Sequence, residues 1–359
     1  MLFEEKPTAN TSQIPVLILF GPTASGKTGI LFDLFGGSSG GMNQAEIISA
    51  DSMQVYKGMD IGTAKPSPRE REIIPHHLID IRDPSRQFNA GDFVRLADEA
   101  CRQIASRGKI PVVSGGTGFY LKTFILGLSD APPSDKEIRR QLGIELKEKG
   151  SSVLMEELAV CDPVSARRIH INDEYRILRA LEVYRTCGQP LSLFKEKSKT
   201  APGINSAKRG CYEFTIIGLS RPREELYERI NIRCDQMFKQ GLAEEVRGLY
   251  EAGYTPDDPG LHAIGYREFF TERADFEDSS SDNQGGNKRG KWRLLQDAEG
   301  VKALVAQNSR RYAKRQITFF KGIPDVNWVE CGSDDETNIQ IKSILSKNTI
   351  YDNIIKRKL

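Results

Sequence analysis

The chain has 359 residues, of which 38% are hydrophobic and 28% are charged, and its formal net charge is +2. This composition excludes an intrinsically disordered chain, and because no run of about 18 apolar residues occurs, it argues against a membrane-spanning helix. The six cysteines are widely spaced without a C-x-x-C pair, and only four histidines accompany them. We therefore expect reduced thiols, no zinc site and no disulfide framework, in a cytoplasmic protein.

Short apolar segments that end in loops of small or polar residues predict four β-strands, at residues 16–20, 46–51, 109–116 and 214–219. A helical pattern at 93–108 lies between the second strand and the third, and further helices are expected at 223–252 and 300–320. Strands that alternate with helices in this way predict an α/β core with a parallel sheet. We expect the second strand to lie beside the first.

Residues 134–185 have the pattern of charged helices with no strand candidate, which predicts a helical insertion domain at 129–200. The α/β core would then comprise residues 1–128 and 201–330. Three segments lie outside this pattern, and we assign no role to them. They are a polar insertion at 35–44, a low-complexity surface insertion at 276–300 and a C-terminal tail at 331–359.

The first strand leads into GPTASGKT, which matches G-x-x-x-x-G-K-[ST] at every fixed position. In a phosphate loop of this kind backbone N–H groups surround a diphosphate or triphosphate, the lysine supplies a positive charge, and the last hydroxyl completes a Mg²⁺ shell. The motif leaves open whether the phosphate belongs to a nucleotide or to another ester. The predicted site comprises Gly21, Pro22, Thr23, Ala24, Ser25, Gly26, Lys27 and Thr28, with Thr28 as the Mg²⁺ ligand.

Two further strands end in loops that carry polar side chains. ISADSMQVYKGMDIGTAKP, at 48–66, places Asp51 at the carboxyl end of the second strand, and PVVSGGTGFYLK, at 111–122, places Thr117 after the third. Ligands of open α/β sheets bind at these strand ends, so Asp51 should face the phosphate loop. It could hold Mg²⁺ or act as a general base, and the structural alternative is that it caps the next turn.

The segment 301–324 contains six basic residues and no acidic residue. On a helix, side chains four residues apart share a face, which predicts a positive surface suited to a polyanion. The alternative is a solvated helix face without a partner. The basic residues are Lys302, Arg310, Arg311, Lys314, Arg315 and Lys321.

The phosphate loop, the Asp51 segment and the GGTG loop, in this order, resemble the tRNA dimethylallyltransferase family, also called tRNA isopentenyltransferases. The resemblance covers roughly residues 14–270 and 300–330. It is of the bacterial type, since the sequence has no C-terminal Cys/His zinc finger of the eukaryotic kind. Other segments that agree are HHLIDIRDP, FNAGDF, DPVSARRIHINDEYRILRALEVYRTCGQPLS, ELYERINIRCDQM, AIGYREF and RRYAKRQITFFKG.

The resemblance implies a P-loop NTPase-like fold and transfer of a dimethylallyl group from dimethylallyl diphosphate to N6 of adenosine 37 in tRNA. It implies Asp51 as the base, with Lys27, Thr28-bound Mg²⁺ and Arg233 at the diphosphate, and Thr117 near the target nucleotide. Arg229, one helical turn before Arg233, could substitute for it. We expect a monomer that binds the anticodon arm and a flipped target base.

The same resemblance implies tRNA contacts in three parts of the chain. The family usually has Gln at the position of Tyr175, where an aromatic ring could stack on a base instead of hydrogen-bonding to it. The implied contacts are Asp51, Ser52, Met53, Gln54 and Thr117 in the core; Arg139, Tyr175, Arg176, Ile177, Leu178 and Arg179 in the insertion; and His262, Ala263, Ile264, Gly265, Tyr266 and Arg267.

Three other functions remain open from the sequence. A small-molecule kinase would use the same phosphate loop to transfer a phosphoryl group from ATP. An adenylate isopentenyltransferase would act on free nucleotides, but it would need neither the helical insertion nor the basic segment. A non-catalytic RNA-binding module would leave the phosphate loop and Asp51 unexplained.

Overall fold

A computed structural model describes residues 13–36, 44–194, 209–273, 288–332 and 334–347 of the chain. The chain divides into two compact units, residues 1–126 with 208–359, and residues 127–207. We call them the core unit and the helical unit. The sequence places the limits of the helical insertion at 129 and 200.

The core unit is built on a six-stranded parallel sheet with the strand order β3-β2-β4-β1-β5-β8. Its central strand has the sequence IPVLILF, and its residues from Val16 onward are buried because strands flank it on both sides. The strands of this sheet are β1 Ile14–Phe20, β2 Ala45–Ser49, β3 His76–His77, β4 Ile110–Gly115, β5 Tyr212–Ser220 and β8 Asn327–Glu330.

Contrary to the expectation from the sequence, β2 does not lie beside β1, because β4 lies between them. Local patterns identify buried strands, but their order depends on long-range packing. Leu19 of β1 and Ser49 of β2 both pair with Ser114 of β4, so the three strands end at the same level. The loops that follow them therefore open on one edge of the sheet.

The helices of the core unit connect and cover these strands. They are α1 Lys27–Phe35, α2 Pro68–Ile73, α3 Ala90–Ser106, α4 Gly118–Leu126, α8 Arg223–Lys239, α9 Leu242–Glu251, α10 Lys288–Lys291, α11 Ala298–Phe320 and α12 Asp334–Leu345, with two 3-10 turns at Pro259–His262 and Arg267–Phe269. Of the described helices, none is both long and apolar enough to cross a bilayer.

Two segments that the sequence leaves without structure contain secondary structure here. Within the predicted tail, Ile341 and Leu345 of α12 are buried in one cluster with Leu17 and Leu19 of β1. Residues 274–287 of the low-complexity segment lie outside the described residues, as do 37–43 of the first insertion. From residue 288 the chain forms α10 and then β7 (Trp292–Leu294), which pairs antiparallel with β6 (Phe270–Glu272) and buries Trp292.

The helical unit contains α5 (Lys136–Cys161), α6 (Pro163–Ala166) and α7 (Glu174–Cys187). Non-helical backbone at Gly150 breaks α5 into two parts. Apolar side chains at 177, 180 and 181 of α7 have the spacing of one helix face and are buried against leucines of α5. The helical unit thus has a core of its own.

Candidate active site

The loop that follows β1 turns at Gly26, which has φ 99° and precedes the first residue of α1. Glycine adopts this left-handed conformation without steric strain. No side chain caps the N-terminus of α1 among the described contacts. Its first N–H groups are therefore free to bind an anion, as at other helix N-termini.

Lys27 is the positive charge closest to the centre of this loop. Its Nζ donates hydrogen bonds to the carbonyl oxygens of Gly21 and Pro22, each at 2.9 Å. Its stem is partly exposed, but protein surrounds the ammonium group, and this burial, helped by the charge of Arg233, lowers the pKa of Lys27 to about 8. The negative charge of Asp51 acts in the opposite direction.

Three arginines that follow β5 contact consecutive residues of the loop. Arg221 Nε donates to the Ser25 carbonyl at 3.0 Å, Arg229 Nε to the Ala24 carbonyl at 3.0 Å, and Arg233 Nη1 to Thr23 Oγ1 at 3.1 Å. Burial lowers the pKa of Arg233, against the charge of Asp51. Sequence reasoning found Arg233 and Arg229 but missed Arg221, whose one available signal is its position immediately after a strand.

Asp51 lies two residues after β2 and caps the turn that follows. Its Oδ1 accepts hydrogen bonds from the backbone N–H groups of Met53, at 2.8 Å, and Gln54, at 3.3 Å. The same carboxylate stabilises the charged forms of Lys27 and Arg233. Asp51 therefore has the structural role considered from the sequence, and its charge also acts on the side chains of the glycine loop.

Thr117 connects the loop after β4 to the Asp51 turn. Its Oγ1 accepts a hydrogen bond from the Ser52 N–H at 2.9 Å and contacts Ser52 Oγ at 3.3 Å. Tyr312 of α11 also hydrogen-bonds to Thr117, and burial together with the nearby charge of Asp51 raises the pKa of Tyr312 to about 12. The tyrosine therefore stays neutral at physiological pH.

Gln316 of α11 joins two loops of the sheet edge. Its Oε1 accepts a hydrogen bond from the Thr23 N–H at 2.9 Å, and its Nε2 donates to the Gly116 carbonyl at 2.7 Å. Sequence reasoning treats this helix as a basic surface and as part of the family resemblance, but it assigns no role to Gln316 or Tyr312. Both residues are uncharged and stand among six basic residues, so the sequence gives little indication that they belong to the site.

These loops surround one cavity of about 740 Å³. Its lining brings together the glycine loop, the Asp51 turn, the loop after β4, and helices α8 and α11. Of the residues predicted for the site it includes Thr23, Ala24, Gly26, Lys27, Thr28, Asp51, Ser52, Met53, Gln54, Arg233, His262, Ala263, Ile264 and Gly265.

The family model described as IPP transferase matches residues 54–323 of the chain. A tRNA dimethylallyltransferase of Geobacter sulfurreducens is 42% identical over 319 residues, which cover 89% of this chain and 93% of that protein. The chain belongs to the IPP transferase family. The resemblance found in the sequence is thus confirmed.

Solved structures of related enzymes agree with this membership. A tRNA isopentenylpyrophosphate transferase of Staphylococcus epidermidis is 34% identical with a TM-score of 0.59, covering 93% of this chain and 99% of that one. A eukaryotic dimethylallyltransferase acting on tRNA is 27% identical with a TM-score of 0.70, covering 95% and 80%. The predicted α/β fold, with a P-loop NTPase-like parallel sheet, is confirmed for this member of the family.

Not every residue that the family resemblance implies has an accessible side chain. Tyr266 is 0% exposed, and its hydroxyl donates to Glu245 Oε1 at 2.6 Å. Glu245 in turn accepts the N–H groups of Asp60 and Ile61. Tyr266 therefore holds the 60–62 turn through Glu245, and the RNA contact implied for it stays a prediction. Arg267 packs over the Trp292 ring at 4.3 Å.

In the helical unit of this IPP transferase, Ile177 is fully buried and Leu178 is partly buried against the same cluster, so their side chains stabilise the unit, and the RNA contact implied at these positions stays a prediction. Tyr175 is 71% exposed, with the Arg139 guanidinium 4.7 Å from its ring centroid. The buried carboxylate of Glu182 accepts from Arg139 at 3.1 Å and from Arg179 at 2.9 Å. Arg176 pairs with Asp173 at 2.7 Å.

Proposed function

We propose that the chain transfers a dimethylallyl group from dimethylallyl diphosphate to N6 of adenosine 37 in tRNA, giving N6-(dimethylallyl)adenosine and diphosphate. The observation that carries the proposal is that the cationic glycine loop and the Asp51 carboxylate line the same cavity. Membership of a family whose curated relatives are named tRNA dimethylallyltransferase supports it.

The glycine loop would bind the diphosphate of the donor. Negative charge develops on this group as the allylic C–O bond breaks, and fixed positive groups that face it lower the barrier. Lys27, Arg233 and the N–H groups at the start of α1 are such groups. Lys27 Nζ contacts the Gly21 and Pro22 carbonyls, and on donor binding these contacts would be exchanged for phosphate oxygens.

The residues around the loop fit a Mg²⁺ ion that is held mainly by the substrate. Thr28 lies on the cavity in the first turn of α1, and no group of three or more His, Cys, Asp or Glu residues occurs in the described parts of the chain. Mg²⁺ commonly takes one or two protein ligands and completes its shell with substrate phosphates and water. Thr28 would hold the ion, which would neutralise charge on the diphosphate.

Asp51 would accept the proton that the amine loses. The N6 lone pair is delocalised into the adenine ring, so removal of the proton as the N–C bond forms assists the attack. Both hydrogen bonds that the described residues donate to this carboxylate go to Oδ1. Oδ2 is therefore left to accept the proton.

The target base would enter the cavity from the side formed by the Asp51 turn and residues 262–265. To reach Asp51 inside the cavity, adenosine 37 would have to leave its stack, as in other enzymes that modify bases. The Thr117 hydroxyl fixes the Ser52 backbone at this side. Outside the cavity, the exposed Arg311 and Lys314 of α11 are available for phosphate contacts.

The decisive experiment is mass spectrometry of nucleosides from tRNA incubated with the protein, Mg²⁺ and dimethylallyl diphosphate. We expect dimethylallyladenosine with wild type and none with Lys27→Ala. Parallel incubations with AMP, ADP or ATP as acceptor, and with labelled ATP as phosphoryl donor, test the two other enzyme classes. Prenylated free nucleotide without prenylated tRNA, or phosphoryl transfer, would overturn the proposal.

A further inference from the structure

Two exposed phenylalanine side chains lie on neighbouring helices of the core unit, Phe119 in the first turn of α4 and Phe319 near the end of α11. Phe119 is 61% exposed and Phe319 is 39% exposed. Exposed apolar side chains are common on protein surfaces, but two exposed aromatic rings on adjacent elements form a contiguous apolar surface that a partner could cover.

Gly118 brings the two rings onto one surface. A Cβ atom at position 118 would lie 2.5 Å from Cδ1 of Phe319, so the Phe319 ring packs directly on the backbone that precedes Phe119. Any larger residue at 118 would displace this ring. We call Phe119 and Phe319 together the aromatic surface.

The aromatic surface adjoins the acceptor side of the cavity. Phe119 is two residues after Thr117, whose hydroxyl contacts the Ser52 backbone. Phe319 lies one helical turn after Arg315 and Gln316, both of which line the cavity. The rings therefore stand where an RNA strand would continue beyond a base held in the cavity.

The charges around the aromatic surface suit a nucleic acid. Lys122, one turn after Phe119 on α4, places its Nζ 5.8 Å from the centroid of the Phe319 ring. On α11 the exposed Lys314 and Arg315 belong to a segment of the sequence without an acidic residue. Aromatic rings among cationic side chains form the usual surface for single-stranded nucleic acid, in which bases stack and phosphates are neutralised.

We propose that Phe119 and Phe319 form a stacking platform for an unpaired base of the anticodon loop, next to the adenosine that enters the cavity. The proposal rests on the proposed function. When the target adenosine leaves its stack, each neighbouring base loses a stacking partner, and an aromatic side chain can replace that partner. Lys122 and Arg315 would contact the phosphates that flank the stacked base.

The test measures how substitutions of Phe119 change the affinity for an anticodon stem-loop RNA. Phe119→Ala and Phe119→Leu should raise the dissociation constant about tenfold, as loss of one base–aromatic stack does, while Phe119→Trp should bind as tightly as wild type. The KM for dimethylallyl diphosphate should not change. Ile339→Ala, at an apolar side chain of α12 that is 68% exposed, is the matched control and should leave both values unchanged.

A second measurement identifies the stacked base. In RNAs that carry an abasic site on either side of the target adenosine, one abasic position should itself weaken binding about tenfold. Phe119→Ala should then add no further loss with that RNA, because the stacking pair is already broken. Equal losses from Phe119→Ala with the intact RNA and with both abasic RNAs would overturn the platform, as would wild-type affinity of Phe119→Leu.

Prenylation of the intact stem-loop by wild type, measured first, separates the two proposals. If wild type modifies the RNA but Phe119→Ala and Phe119→Leu bind it as tightly as wild type, the platform alone is overturned. Failure of wild type to modify the RNA would overturn the proposed function and, with it, the platform that depends on it.

Discussion

At the residue scale, the ionisation of Lys27 should make the affinity for dimethylallyl diphosphate depend on pH. Burial lowers the pKa of its ammonium group to about 8, whereas a bound diphosphate favours the charged form. The free protein therefore loses above pH 8 a proton that the complex keeps. We expect the apparent dissociation constant of dimethylallyl diphosphate to rise about tenfold per pH unit above about pH 8, up to the pKa of the bound state.

Isothermal titration calorimetry across this pH range measures both the affinity and the uptake of protons. Lys27→Met has no titratable group at this position, so it should bind the donor weakly at every pH and lose the dependence. A wild-type affinity that stays constant between about pH 7 and pH 10 would contradict a lowered pKa for Lys27.

Asp51→Asn separates the chemical role of the carboxylate from its structural role. Asn can still accept the N–H groups of Met53 and Gln54 through its side-chain oxygen, so the turn should persist. It cannot accept a proton, and turnover should fall about 10²-fold or more while both substrates still bind. Single-turnover kinetics with direct binding measurements checks this.

Asp83→Asn is the matched control, since Asp83 Oδ1 accepts the Ser85 N–H at 2.9 Å in a similar turn outside the cavity lining. Wild-type turnover of Asp51→Asn would show that Asp51 has only a structural role.

Arg221 is expected to position the glycine loop through its hydrogen bond to the Ser25 carbonyl. Hydrogen bonds from charged donors contribute about 1.5–3 kcal/mol, so Arg221→Met should raise the KM for dimethylallyl diphosphate roughly tenfold or more. The affinity for tRNA should change little. Arg223→Met, at an exposed arginine that packs on Tyr227, is the control.

Thermal unfolding of both arginine variants shows whether the protein remains folded. An equal loss of donor and tRNA affinity in Arg221→Met would contradict a role specific to the loop.

Some residues of the site can be predicted from the sequence around them, and others cannot. Lys27 and Thr28 belong to a contiguous motif, and Asp51 follows an apolar strand. The sequence therefore predicts that all three lie at the same edge of the sheet. Arg221 and Gln316 act through single contacts to residues 196 and 293 positions away, which no local pattern encodes. For Ile177 the helical spacing of apolar residues indicates the burial that the structure shows.

At the element scale, the basic residues of α11 differ in their contacts. Arg310 donates to Asn231 of α8, and Arg315 lines the cavity, so neither is simply part of a uniform basic surface. Lys302 pairs with Asp235 and Glu299. Arg311 and Lys314 remain exposed on the helix. These two side chains, together with the exposed Arg315 and Lys321, are available to contact RNA phosphates.

The double variant Arg311→Gln/Lys314→Gln should reduce the salt dependence of tRNA binding. Each phosphate contact contributes about −0.7 to −0.9 to the slope of log affinity against log salt, so the slope should become less negative by about 1.4 to 1.8. Filter binding across a salt series measures it. The loss should be similar for all tRNA substrates, because phosphate contacts carry no sequence information.

Arg95→Gln/Arg102→Gln, at two exposed arginines of α3, is the matched charge control. A slope equal to that of wild type in the α11 variant would show that its basic face is only solvated.

Apolar periodicity predicts most of the elements but not all of their arrangement. The strands β1, β2, β4 and β5 and the long helices α3 and α11 follow from it directly, whereas β8 is not among the predicted strands. The two-residue strand β3 is too short to give a pattern, and the helix α12 contains few apolar residues, yet Ile341 and Leu345 pack on the sheet. The position of β4 between β2 and β1 is a long-range property that no segment specifies alone.

At the scale of the whole molecule, the candidate active site and the helical insertion belong to different compact units. All residues that line the cavity belong to the core unit, and the helical unit has its own apolar core. Replacing residues 127–207 with a short linker should therefore leave dimethylallyl diphosphate binding close to wild type. Binding of the anticodon stem-loop should fall by at least about tenfold, because several cationic contacts are removed.

Calorimetry with the donor and filter binding with the RNA test this division, with circular dichroism to verify folding of the shortened chain. Wild-type RNA affinity in the deletion would show that the helical unit takes no part in recognition.

The double contact of Gln316 connects the glycine loop to the loop after β4. One side chain binds both the Thr23 N–H and the Gly116 carbonyl. A displacement of the glycine loop would therefore also displace the loop after β4. Thermodynamic linkage then requires reciprocity: whatever factor the prenyl donor adds to the affinity for tRNA, tRNA must add to the affinity for the donor. With such a coupling, neither substrate would bind independently of the other.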